Sequence, residues 1–178
     1  MNILINILAF KIGWIASVLG AANDMPLLGP FVIFLAIAVH LRRVTEPSRE
    51  FMLIALTGAI GIAWDSVIVA AGWLSYPSGT FVAGIAPYWI LAMWMLFATT
   101  LNLTFRWLQS QMLLASALGA VFGPASYYAG ATAGAVVIND LTATIVAQSV
   151  AWAALLPVLL TLARHFDGVT VQFEHSRI

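Results

Sequence analysis

Residues 51–74 read FMLIALTGAIGIAWDSVIVAAGWL, and this stretch decides the fold. A helix needs about 20 consecutive apolar residues to cross the hydrocarbon of a bilayer, and the stretch supplies them with a single ionisable side chain, Asp65. That carboxyl lies roughly 20 Å along the axis at about 1.5 Å per residue, out of reach of either end for so short a side chain. Gly58, Gly61 and Gly72 share a helix face with it. Small residues on one stripe let a neighbouring helix approach closely, so Asp65 is expected to point into a bundle rather than into lipid. The alternation of apolar and polar residues that marks a barrel strand is absent.

The same texture recurs on both sides. Apolar segments run over Ile3–Ala22, Pro26–Leu41, Pro87–Phe105, Met112–Ile138 and Leu141–Ala163. The expectation is an all-α, polytopic integral membrane bundle of about six transmembrane helices. It forms a single domain over residues 1–165, followed by a short cytoplasmic tail over 166–178. Hydrophobic residues make up 62% of the chain and charged ones 8%, whereas soluble domains carry about 25% charged residues. The formal net charge is zero, which argues against a nucleic-acid partner. Cysteine is absent, which excludes disulfides, thiolate metal sites and a cysteine nucleophile.

Arginine placement gives the orientation. Arg42, Arg43 and Arg49 fall between the second and third segments, Arg106 between the fourth and fifth, and Arg164 and Arg177 after the sixth. The intervening loops hold Asp24 and Asp140 instead. Basic residues collect on the cytoplasmic side, so both termini are placed there. Pro26 and Pro87 suit helix starts, and Asn139 or Asp140 can cap the sixth helix. Glu46-Pro47-Ser48 reads as a break between the second and third helices. The fifth segment is longer than a membrane is thick and contains Pro124, so it either kinks, tilts or breaks into a helix and a turn.

Six residues are candidates for an intramembrane polar or ligand-binding site: Asp65, Lys11, Tyr88, Asn102, Tyr127 and Gln148. An ionisable group inside a membrane is expensive and invites a functional reading. Asp65 is either a structural acceptor for Trp64, a Ser/Thr or the backbone, or a proton carrier or substrate anchor. Lys11 either pairs with Asp65 or, since it sits opposite the small face formed by Asn6, Gly13, Ser17 and Gly20, reaches toward the interface. Tyr88 and Asn102 share a face with Thr99 and Arg106. Gln148 steps by four between Thr144 and Trp152, and Tyr127 sits in the glycine stripe of the fifth segment. These polar faces serve either as glue between helices or as the lining of a cavity. The loop Ser75–Thr80 is either a plain turn or a wall of that site. Trp73 and Tyr76 fit an outer aromatic belt and Trp107 an inner one.

No cofactor and no metal are expected. His40, His165 and His175 lie at or beyond helix ends and form no facing pair, and there is no phosphate loop, dinucleotide fingerprint or G-x-S-x-G.

Three stretches carry a resemblance. They are Trp64-Asp65-Ser66 with Gly72 and Tyr76-Pro77; Ala86-Pro87-Tyr88-Trp89 with Ala92, Trp94, Phe97 and Ala98; and Gly119 to Gly134 with Gly123-Pro124 and Tyr127-Tyr128. Together they resemble the domain of unknown function 2878 family, small multi-pass proteins of the bacterial inner membrane. The likeness implies that localisation. Family members look like companions of fatty-acid and cyclopropane-lipid modifying enzymes, which turns the functional expectation toward lipid.

The leading expectation is thus a lipid- or fatty-acid-related accessory protein with an intramembrane polar cavity around Asp65. Its partners would be membrane lipids, a second copy of the chain or a lipid-modifying enzyme. The alternatives are a small proton-coupled secondary transporter and a structural or assembly subunit. Whether it is an enzyme is left open.

Overall fold

A computed structural model describes residues 3–169. It holds six α-helices: α1 (Ile3–Ala22), α2 (Leu28–Leu41), α3 (Pro47–Ala70), α4 (Tyr88–Leu101), α5 (Met112–Thr132) and α6 (Leu141–His165). A 3-10 turn over Arg106–Ser110 links α4 to α5. Four helices, α1, α3, α5 and α6, are long and apolar enough to cross a membrane. The other two, α2 and α4, have 14 residues each, about 21 Å of helix. The expected tail lies outside the described residues beyond Val169, and so do His175 and Arg177.

Helix ends explain where segments differ from their sequence expectation. The third was expected to run to Leu74 and the fifth to Ile138. Both stop four to six residues sooner, at glycines. Gly72 and Gly134 adopt φ of +74° and +86°, the left-handed region that a residue with a Cβ rarely enters. The chain then closes back on each helix: Gly72 N to Val69 O and Trp73 N to Ile68 O, and Gly134 N to Ala131 O and Ala135 N to Gly130 O. This double bond pattern satisfies the last carbonyls and ends a helix sharply. The residues that follow form the two-residue strands β1 (Leu74–Ser75) and β2 (Val137–Ile138), which pair antiparallel. The long fifth segment therefore breaks into a helix and a strand, with Pro124 kept inside the helix.

At the other end of α3, Pro47 starts the helix rather than separating it from α2, so α3 begins four residues before the expected Phe51. Asp140 caps α6 through Ala143 N at 2.9 Å, while Asn139 donates to Gly72 O.

Loop contacts show that successive helices run in opposite directions. At one end Asn139 N and Asp140 N donate to Trp73 O, and Ser78 Oγ donates to Ala21 O, joining the α5–α6, α3–α4 and α1–α2 connections. At the other end Thr45 N and Glu46 N donate to Gly168 O, and Arg106 forms a two-pronged ion pair with Asp167. This end carries Arg42, Arg43, Arg49, Arg106 and Arg164, and the first end carries Asp24 and Asp140.

Packing divides the molecule in two. Helices α1 to α4 pack on one another with α4 in the middle, and α5 packs mainly on α6 as a hairpin. Gly119 and Gly123 make the hairpin tight, since a Cβ on either would run into Trp152. The small face of α1 is buried as expected: Asn6 donates to Thr99 O at 3.1 Å and accepts from Thr104 Oγ1 at 2.6 Å.

Candidate functional site

Asp65 is fully buried at the joint between the four-helix part and the hairpin. One turn earlier on α3, Gly61 lacks a side chain, so the indole of Trp94 on α4 lies flush against the α3 backbone. From there Trp94 Nε1 donates to Asp65 Oδ2 at 2.6 Å. Tyr127 on α5 donates to Oδ1 at 2.7 Å, and Tyr76, just past β1, donates to the same oxygen at 3.2 Å. All three partners are donors, so one carboxyl gathers α3, α4, α5 and the segment after β1 by acting only as acceptor. Tyr76 also meets Trp89 edge-on, which turns the 75–80 loop into a wall of this centre.

A second layer extends the polar core toward α6. Trp64 Nε1 donates to Gln148 Oε1 at 2.9 Å. Trp94 stacks on Trp152, with ring centroids 4.7 Å apart and planes 12° from parallel. Gln148 Nε2 and Trp152 Nε1 both lie beside the Tyr127 side chain, and neither completes a hydrogen bond.

The outer side of this core is apolar. Trp94, Tyr127 and Trp152 form the inner wall of a cleft of about 800 Å³ between α1, α4 and α5. That volume is in the range of about 300–1,000 Å³ typical of small-molecule sites, which in helical bundles form between helices. The cleft reaches the molecular surface past Lys11, Ile15, Phe122 and Ala125, all of which are exposed. Lys11 stands on its edge and forms no ion pair with Asp65.

A separate buried cluster sits at the arginine end. Glu50, in the first turn of α3, is wholly buried and accepts from Asn102 Nδ2 at 2.8 Å and from Gly168 N at 3.0 Å through Oε1. Its Oε2 lies 2.9 Å from His40 Nε2. Gln109 donates to Asn102 Oδ1, and Arg106 donates to Asn102 O, Asp167 and Val169 O. This cluster ties the α2–α3 connection, the end of α4 and the segment after α6 together.

The profile of a family described as protein of unknown function (DUF2878) matches residues 3–158. The chain belongs to this family. No curated protein and no solved structure matches it.

Within this DUF2878 member, the sequence-expected residues separate into three places. Asp65, Tyr127 and Gln148 meet in the central core. Lys11 faces the cleft edge from the other side, so of its two expected roles the pair with Asp65 does not form. Asn102 belongs to the Glu50 cluster, about 20 Å away along α3 at 1.5 Å per residue. Tyr88 stacks on Phe81 with centroids 4.8 Å apart at the start of α4, away from Asp65.

Three contributors to the core and the second cluster were not singled out from sequence. Trp94 was noted only among the residues of the family resemblance and Tyr76 was expected in the outer aromatic belt, yet both donate to Asp65. Glu50 fell one residue before the expected start of the third segment at Phe51. The signal for Glu50 was available: stepping back from Asp65 along the buried face of α3 passes Gly61, Thr57 and Ile54 and arrives there. Among the described residues no group of three His, Cys, Asp or Glu could hold a metal ion.

Proposed function

We propose that this protein crosses the bacterial inner membrane six times, with its arginine-rich end in the cytoplasm, and binds the acyl chain of a membrane lipid in the α1–α4–α5 cleft. The observation that carries the reading is the cleft itself: a long apolar trough, open sideways, backed by a rigid polar core. Crossing a bilayer exposes its mouth to hydrocarbon, and an apolar space of this size is filled there by chains rather than by water. The antiparallel course of the helices and the separation of Arg from Asp between the two ends support the topology. The short α2 and α4 are accommodated by flanking apolar residues, including the exposed Phe81, Val82 and Ile85 beside α4. The core around Asp65 then holds the cleft wall in place, and the protein acts as a lipid-binding accessory.

Native mass spectrometry of gently extracted protein tests this. A bound acyl lipid is expected in the parent protein and its loss in Ala125→Trp, which places an indole in the mouth. Absence of lipid above the annular background, or equal retention by the filled variant, would sink the proposal.

A further inference from the structure

We infer that the cleft selects a free fatty acid, held by its carboxylate at Lys11; this rests on the acyl-binding reading above. Lys11 is the only Lys in the chain, and it lies on the cleft edge rather than at a helix end. Its position is unusual in energetic terms. Starting from Ile3, it is about 12 Å along α1, and α1 has 20 residues, about 30 Å, so in a membrane-crossing α1 the Lys11 backbone sits near the bilayer midplane. A lysine there is unfavourable by about 2.5–3.5 kcal/mol on insertion scales.

Among the described residues no acidic side chain pairs with Lys11 to offset that term. The acidic side chains of the described residues are committed elsewhere or distant: Asp65 to Trp94, Tyr127 and Tyr76; Glu50 to His40 and Asn102; Asp167 to Arg106; Glu46 to Arg49; Asp24 and Asp140 to the far end. With those described carboxylates occupied or distant, an anion brought by the ligand supplies the partner.

Depth decides which anion. A phospholipid phosphate is anchored at the interface by its own polar substituents and two chains, and would have to sink by about the remaining depth of one leaflet to meet Lys11. A fatty acid has its charge directly on a single chain and carries no other polar group to leave unsolvated. The trough lies on both sides of Lys11. It extends along α4 from Trp89 past Phe97 to Phe105, so a chain headed at Lys11 has apolar wall to follow.

The test uses the full chain in nanodiscs of neutral phosphatidylcholine. Trp14, Trp89, Trp94 and Trp152 line the cleft, so energy transfer to a polyene fatty acid reports occupancy. Competition is run with oleate, oleyl alcohol and phosphatidylglycerol. Oleate is expected to displace the probe at least about tenfold more tightly than oleyl alcohol, the gain of one charge-assisted hydrogen bond. In Lys11→Met, which keeps the apolar stem, the two should bind alike at the alcohol's affinity.

Equal affinities in the parent protein, or a preference that survives Lys11→Met, would overturn the carboxylate site while leaving acyl binding intact. Phosphatidylglycerol outcompeting oleate would overturn the choice of fatty acid. Failure of every acyl ligand to bind would remove the acyl-binding reading, and this inference with it.

Discussion

Replacing Asp65 with leucine keeps the side-chain bulk and removes the acceptor shared by Trp94, Tyr127 and Tyr76. Three buried donors then face an apolar group. Side-chain hydrogen bonds in helical membrane proteins are worth about 0.6 kcal/mol on average and about 1.7 at most, so three of them amount to about 2–5 kcal/mol. The same substitution in a Tyr76→Phe/Tyr127→Phe background strands only the Trp94 N–H and should cost about 1–2 kcal/mol. The comparison is a double-mutant cycle, and it isolates the carboxyl's role as acceptor from any loss of packing, which both backgrounds suffer alike. Unfolding in mixed micelles, followed by tryptophan fluorescence, gives the four stabilities. An equal cost of Asp65→Leu in both backgrounds, within about 0.5 kcal/mol, would refute the idea that this carboxyl joins the helices through its donors.

Gly61→Ala should destabilise by about 1–3 kcal/mol, because its methyl meets the Trp94 ring, and the near-ultraviolet circular dichroism of the Trp94–Trp152 stack should weaken. Glu50→Ala leaves Asn102 and the Gly168 amide without their acceptor and should cost about 2–4 kcal/mol, with faster hydrogen exchange at Gly168 as the local readout. Arg106→Lys keeps the charge but gives up the two-pronged grip on Asp167. This pair is about one third exposed, so the loss should stay near or below about 1 kcal/mol and shrink as salt is added.

How far the sequence could be read follows from the physics of each signal. The C-terminal end of helix α1, at Ala22, was legible to the residue because apolar length marks it. The ends of α3 and α5 were not, since Gly72 and Gly134 sit among apolar residues that continue the hydropathy signal past the true stop. Only the positive φ of those glycines, a backbone property, ends the helices. Asp65 was legible as buried because nothing else explains a carboxyl at that depth. Its partners were not, because a tryptophan or tyrosine in an apolar segment looks the same whether its polar atom faces lipid headgroups or a carboxylate. Asn102 was placed with Asp65 on the strength of polarity alone. Helical spacing fixes the face of a residue and leaves its neighbour across the interface undetermined, and that neighbour proved to be Glu50.

The split into a four-helix part and a hairpin has a consequence for biogenesis. Chains emerge N-terminus first, and α1 to α4 make most of their contacts with one another, so they can assemble before α5 is synthesised. Until then Asp65 has Trp94 and Tyr76 available but not Tyr127, and β1 has no strand to pair with. Insertion of the α5–α6 hairpin supplies both at once, one in the centre and one at the end. The last third of the chain thus acts as a closing piece, and a ribosome-bound intermediate halted before Met112 would present the cleft's floor without its far wall.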